Sequence, residues 1–268
     1  MKWIRRAAAL LLLSIALCGL LAPQIAPYPP DRQFRDNPDA PPGHGFLMGT
    51  DEIGRDRFSR LVYATRISAL MAPAAALCSI VLALLISAGA SYGRRAATWA
   101  VSGVTTVCLS LPWIFLFIVL RAALPLNTGP AVSVALTFGL MGVAGWAWPA
   151  RVFTASILEI RQSDWLMQAR AAGVSSPRIA LAYSWPHLRA LALAQFRILI
   201  PAYVISEASL GLIGLGVPDP LPSWGNLLRD LQHPDIVRGN PWVLAPLGLL
   251  VVVMVCMETL GPSREVAL

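Results

Sequence analysis

Apolar residues along this chain gather in long runs, and polar residues gather between them. Six runs stand out: one at the N-terminus and others near residues 67–92, 96–120, 130–150, 191–216 and 241–260. Each approaches the ~20 residues an α-helix needs to cross ~30 Å of hydrocarbon. The pattern predicts an all-α, polytopic membrane protein with about six transmembrane helices. It divides the chain into an N-terminal helix (1–27), an outer loop with an amphipathic segment (28–66), a transmembrane domain (67–261) and a short tail (262–268).

The first run follows Lys2, Arg5 and Arg6, the layout of either a signal peptide or a first span. Leu17 is too large for a lipoprotein processing site at Cys18, and Pro23 and Pro27 sit awkwardly for cleavage. An uncleaved helix with its N-terminus inside is the expectation. "PYPPDRQFRDNPDAPPGHGF" after it reads as an extended outer segment. Asp56 is then expected to cap an amphipathic helix with Phe58, Leu61 and Val62 on one face.

The longest polar interruption, about residues 160–188, contains "QARAAGVSSPRIALAYSWPH". Ser163 is placed as the N-cap of a short helix, "DWLMQARAA", that Gly173 ends at C′. Ser176 and Pro177 supply a second cap and first-turn proline, and Ile179, Ala182 and Tyr183 share a face beyond them. Two short helices across a glycine make a knob expected to be too small for a core of its own. It either lies on the bilayer surface or docks into a partner. Arg151, Arg161, Arg170, Arg178 and Arg189 surround it, and Arg94 and Arg95 occupy another short loop. Arginine retained in cytoplasmic loops puts both loops, and with six crossings both termini, inside.

Composition agrees: 56% of the 268 residues are hydrophobic and 13% charged, against about a quarter charged in soluble domains. The net charge of +7 comes from arginines between apolar runs, not from a continuous basic stripe. Lys2 is the only lysine, which excludes a phosphate loop or a Schiff base. Cys18, Cys78, Cys108 and Cys256 lie in apolar runs without CxxC spacing and read as small buried hydrophobes. His44, His187 and His233 are scattered, so no metal site is legible. Asp51, Glu52 and Asp56 cluster but fail the spacing of a calcium loop. Gly211, Gly214 and Gly216 follow no strand, so close helix packing is expected of them. Arg197 is expected to snorkel, and Trp224 to anchor the outer loop at the interface.

The polar insert resembles the EAA-type coupling loop of permease subunits in ATP-binding-cassette importers, with the spacing from Gly173 to Pro186 kept. "MGTDEIGRDRFSRLVYATRIS" (48–68), "WPARVF" (148–153) and "SEASLGLIGLGVPDPLPSWGNLL" (206–228) resemble blocks of the dipeptide, oligopeptide and nickel permeases, in the right order. The resemblance spans about residues 48–261. There are departures. Met167 stands where the loop motif begins with glutamate, and Gln168 replaces its first alanine, while Ala169, Arg170, Ala171 and Gly173 keep the pattern. Ser102 and Thr105 replace an Arg/Asp pair ahead of Pro112, and Pro262 stands where the family has an acid.

The resemblance implies a pore-forming subunit of an importer in the bacterial inner membrane. Its expected partners are a second permease subunit, two ATPase subunits that use ATP and magnesium, and an extracytoplasmic binding protein. This chain itself is expected to need no cofactor and to catalyse nothing. Gln168, Ala169, Arg170, Ala171, Gly173 and Pro186 would form the coupling loop; Asp51, Gly54, Arg55 and Asp56 would sit at the outer mouth. Glu207, an acid in an apolar run, has two readings. It is a polar point on the translocation path or gate, or a structural carboxylate bonded to Ser206, Ser209 or a neighbouring helix. Two rivals stay open. An intramembrane enzyme would need paired acids, a zinc motif or a serine–histidine pair at membrane depth. A stand-alone secondary transporter would show more spans and an internal repeat.

Overall fold

The computed structural model describes residues 2–43, 45–93, 95–123, 128–175, 178–179 and 184–261. Among these, helix dominates and the only bridges are isolated pairs in the segment before residue 57. Helix α1 (Lys2–Leu20) is followed by a single turn, α2 (Ala22–Ile25), which opens with Pro23 in its first turn. Gly19 lets α1 approach its neighbour closely: a Cβ there would lie 3.0 Å from the Arg66 Cα.

That neighbour, α3 (Arg57–Tyr92), is the axis of the fold, with α1, α6 (Pro130–Ala144), α7 (Ala147–Gln162) and α9 (Trp185–Leu212) packed around it. It starts ten residues before the expected second span because the cap lies that far upstream. The Asp56 carboxylate accepts from the Ser59 amide (2.8 Å) and hydroxyl (2.6 Å). The amphipathic segment is therefore the outer end of the span itself. Small buried residues line α3 (Ala64, Ala72, Ala76, Ala83), so large ones from its neighbours can seat against it: Phe117, Phe138, Phe153, Ile157 and Tyr203. Hydroxyls fasten it as well. Ser79 donates to the Gly142 carbonyl (2.7 Å), and Ser87 to that of Ala150 (3.0 Å).

The third run is not one helix. It forms α4 (Arg95–Ser110) and α5 (Trp113–Ala123), which meet at 92°. Pro112 has no N–H to continue the ladder, and it disfavours helical geometry at Leu111. The fourth run is longer than expected: α6 (Pro130–Ala144) and α7 (Ala147–Gln162) together make a 33-residue apolar stretch. Their join is at Gly145, where a Cβ would fall 1.8 Å from the Tyr203 hydroxyl. That hydroxyl is 2.6 Å from Ser79 Oγ, so a tertiary contact fixes the interruption.

The short helix α8 (Asp164–Ala171) leads to α9 (Trp185–Leu212), which ends four residues before the expected limit of its span. The chain then turns back through α10 (Trp224–Leu227), a 3₁₀ turn (Leu228–Gln232), α11 (Pro234–Gly239) and another 3₁₀ turn (Pro241–Leu244) into α12 (Ala245–Thr259). Among the described residues, five helices are long and apolar enough to span a membrane, or six if the bent α4–α5 pair counts as one. Exposed Leu10, Leu85, Trp99, Val107, Phe115, Val119 and Leu193 give the bundle the apolar exterior a bilayer requires.

The first and last helices end together. Arg5 donates to the carbonyls of Leu260 (3.0 Å) and Gly261 (2.9 Å), and Arg197 to that of Leu260. Two guanidiniums thus satisfy carbonyls beyond the end of α12, where the helix dipole favours positive charge. Arg197, expected to snorkel, is a helix-end donor instead.

Candidate functional site

The polar insert folds as a small protrusion on α7. Ser163 does precede α8, but its hydroxyl turns back to the Ile160 carbonyl (2.6 Å) and does not cap the helix. At the other end, Gly173 has φ +78°. Ala172 N donates to Gln168 O (2.9 Å) and Val174 N to Ala169 O (3.1 Å). The second bond is the long closure of a Schellman motif, with Gly173 at C′. The knob does possess a core: Ile160, Leu166 and Ile179 are buried together, with Val174 against them. Ile160 belongs to α7, so the insert borrows an anchor from outside itself. Trp165 stacks on His187 of α9 (6.0 Å), one residue after Pro186 in the first turn of that helix. Gln168, Ala171, Gly173 and Pro186 are exposed, Ala169 is half-buried, and Trp165, Met167 and Trp185 expose much of their surface. The Arg170 side chain, Ser176, Pro177, Ala182 and Tyr183 lie outside the described residues.

At the opposite end of α3 the outer loop is compact, not extended. Tyr28, Phe34 and Phe46 pack edge to face, and Arg32 lies over two of the rings. Gly54 (φ +81°) lets the chain pass the Phe34 carbonyl, which a Cβ would meet at 2.2 Å. Asp51 accepts from the Arg55 amide and from its Nε, both at 2.7 Å. Arg55 (2.8 Å) and Arg60 (3.2 Å) both reach Asp219 in the loop after α9, and Arg57 pairs with Asp230. These groups, with Glu52, Arg229 and His233, line a polar cleft of about 210 Å³. Burial raises the Asp219 carboxyl, but Arg60 and Arg55 outweigh it and hold the group below the ordinary carboxylate range. Of this cleft the sequence offered Asp51, Arg55 and the neighbouring Asp56. The partners Asp219 and Asp230 lie more than 150 residues away, beyond the reach of local pattern.

Glu207 is wholly buried and faces the short helix α10 and its N-cap. Its carboxylate accepts from Ser223 Oγ (2.5 Å) and from the Gly225 amide (3.2 Å) at the start of α10. Ser206 and Ser209 bond instead to the carbonyls of Ala202 and Ile205 on their own helix. The carboxylate thus holds the returning segment against α9. Trp224, expected at the interface, is in fact fully buried, with its ring N–H on Thr65 Oγ1 (3.1 Å) and its amide on Ser68 Oγ (3.1 Å). Glu207→Gln, which keeps an acceptor for one donor, is expected to lower the melting temperature of the purified protein slightly. Glu207→Leu strands two buried donors, at about 1–3 kcal/mol each, and should lower it sharply. Equal shifts would show that the clamp holds nothing.

The three glycines also separate. Gly211 and Gly216 pack backbone to backbone, whereas Gly214 (φ +78°) has open space around it and serves the turn. Arg121, which sequence reasoning passed over, is buried between α5 and α6 and donates to Ser133 Oγ (2.7 Å) and Thr137 Oγ1 (3.3 Å). Among the described residues no group of three or more His, Cys, Asp or Glu could hold a metal ion.

Similarity to known proteins meets this architecture from another side. The chain is 28% identical to the di/tripeptide transport system permease protein DppC of Pseudomonas aeruginosa over 253 residues, 92% of this chain and 80% of that one. It is 27% identical to the dipeptide transport system permease protein DppC of Bacillus subtilis, covering 98% of this chain and 80% of the relative. The oligopeptide transport system permease protein OppC of Escherichia coli is 29% identical, with 98% and 85% covered. Residues 79–261 match a family described as the binding-protein-dependent transport system inner membrane component, a stretch that holds the broken third run, the knob and the Glu207 clamp. A helical bundle with an apolar exterior and one structured polar insert is what such a component needs, and this chain belongs to that family of multi-pass inner-membrane transport proteins.

Proposed function

We propose that this chain is one pore-forming subunit of an ATP-driven peptide importer, gripped by separate ATPase subunits at the knob and supplied by a binding protein at the outer cleft. The knob carries this reading. Its internal side is fixed to α7 and α9, and its exposed side presents Met167, Gln168 and Trp185 to something outside the chain. Apolar surface shown by a rigid protrusion suits a protein partner better than water. ATP must be hydrolysed elsewhere, since a chain whose only lysine is Lys2 has none for a phosphate loop. The cargo is read as a peptide from the names of the relatives. The outer cleft, with carboxylates and guanidiniums on one floor, suits a partner or cargo carrying both charges.

The mechanism divides between the two ends of α3. Closure of the ATPase subunits would move the knob; α7, continuous with it and packed along α3, would carry that displacement into the bundle. The arginines around the knob support an orientation with the knob and both termini in the cytoplasm and residues 28–56 outside.

A single strain tests both parts. In cells stripped of other peptide uptake, the complete transporter should import a labelled di- or oligopeptide, and deletion of this subunit alone should abolish import. In a cysteine-free version, an impermeant thiol reagent should label a cysteine at Asn37 in sealed cells. One at Ser175 should label only after the membrane is opened. Import without this subunit would end the pore reading, and labelling at Ser175 in sealed cells would invert the orientation.

A further inference from the structure

The knob end of the bundle holds a second cleft, of about 430 Å³, that the transport reading does not use. It lies between the end of α3, the start of α4 and the end of α7. Among the described residues its lining carries two guanidiniums, Arg95 and Arg161, together with Ser91, Thr98 and Gln162, and no carboxylate. The start of α4 contributes first-turn amides that lack helical acceptors, a favourable place for an anion. Ser91 is 1% exposed, and its Oγ has no hydrogen-bond partner among the described residues although it borders the cleft. A buried hydroxyl left without a partner calls for an acceptor from outside. Thr98 differs, since its hydroxyl is already spent on the Ala90 carbonyl (2.8 Å).

We propose that this cleft binds the phosphate headgroup of an anionic phospholipid. Both guanidiniums suit phosphate oxygens, and the Ser91 hydroxyl can donate a further bond. The tail has a path as well. The face of α4 that leaves the cleft exposes Trp99, Val104 and Val107. Trp99 is 73% exposed beside the basic lining, where an amphipathic ring marks the boundary between headgroups and hydrocarbon. A charged head with an apolar chain fits this sequence of surfaces; a free anion would use only its lower part. The inference needs only a chain set in a bilayer and stands apart from the import reading.

The test uses the complete transporter in nanodiscs of phosphatidylcholine that contain a minor fraction of phosphatidylglycerol. Trp99 is replaced by a photoreactive benzoylphenylalanine, and the adducts formed on illumination are identified by mass. The expected result is a phosphatidylglycerol adduct far above its share of the lipid. Arg95→Gln should cut that excess about fivefold, and Arg161→Gln by a similar factor. Arg238→Gln, exposed at the outer end, should leave it unchanged. Ser91→Ala, which keeps every charge, should reduce it less than either arginine change. Adducts in proportion to bulk lipid would overturn the proposal. So would displacement by millimolar inorganic phosphate, which would make the site one for free anions, or adducts mainly to an ATPase subunit, which would make it a protein interface.

Discussion

Valine at Gly211 is expected to leave little folded protein in the membrane. A Cβ at this position would stand 2.6 Å from the Gly225 carbonyl carbon, 2.8 Å from its oxygen and 3.0 Å from the Asn226 amide. These are backbone atoms, so no side chain can swing aside. Neither partner can retreat: α10 is pinned by Glu207 on one side and by the buried Trp224 on the other. Gly216 and Gly225 share the arrangement, with their Cβ positions 2.7 Å from the Gly211 Cα and the Glu207 carbonyl oxygen. Overpacking a well-filled site typically costs about 1–3 kcal/mol, and a backbone-to-backbone collision belongs at or above the upper limit. Gly214→Ala supplies the contrast. Its surroundings are open, so the cost is the left-handed conformation alone, about 1–2 kcal/mol. Thermal unfolding of the detergent-purified variants should place Gly211→Val far below wild type and Gly214→Ala modestly below it. Similar melting points for the two would show that α9 and α10 are not in such contact.

Gly173→Asp is expected to do the opposite: to spare the fold and remove the function. Among the described residues beyond its chain neighbours, no atom lies within 4 Å of a Cβ at Gly173, so the substitution there meets only the strain of φ +78°. That is about 1–2 kcal/mol for most residues and less for aspartate, which visits this region more readily. The knob should remain attached through Ile160, Leu166 and Ile179. What changes is its exposed surface, where a charged side chain would enter any cleft that receives the loop. Membrane level should stay near wild type, while peptide uptake and recovery of ATPase subunits in pull-downs both fall to background. Arg178→Ala, exposed beyond the glycine, should do less. A hairpin resting on lipid would reverse that order, since loss of a basic residue would then weaken contact with anionic headgroups. Uptake and co-purification that survive Gly173→Asp would remove the knob from the coupling path.

The spans were legible because hydrocarbon allows few ways to satisfy a backbone, and long apolar runs betray them. Their interruptions were less so. Pro112 could have been read as a break, but Gly145 yields to the Tyr203 hydroxyl arriving from another helix, and no local pattern announces that. Trp224 misled for a related reason. Tryptophan suits an interface and a core equally well until the partner of its N–H is known, and Thr65 lies on a distant helix. The Gly173 turn was readable because backbone geometry alone demands it. The knob's core was missed because one of its three members sits near the end of α7, outside the two short helices. The ion pairs at the outer cleft join distant parts of the chain and were illegible for lack of any rule linking Arg55 to Asp219.

The continuity of α3 has a mechanical corollary. At 1.5 Å per residue its 36 residues make a rod of about 54 Å, with the charged outer cleft at one tip and the second, basic cleft at the other. A rod pivoting near its centre moves its tips in opposite directions, and a tilt of about 10° carries each by roughly 5 Å. Pro73, near the middle of the helix, removes one rung of its hydrogen-bond ladder without interrupting the helix. In a chain that rocks in this way, widening at one membrane face would be geared to narrowing at the other, with no signal needing to travel between them.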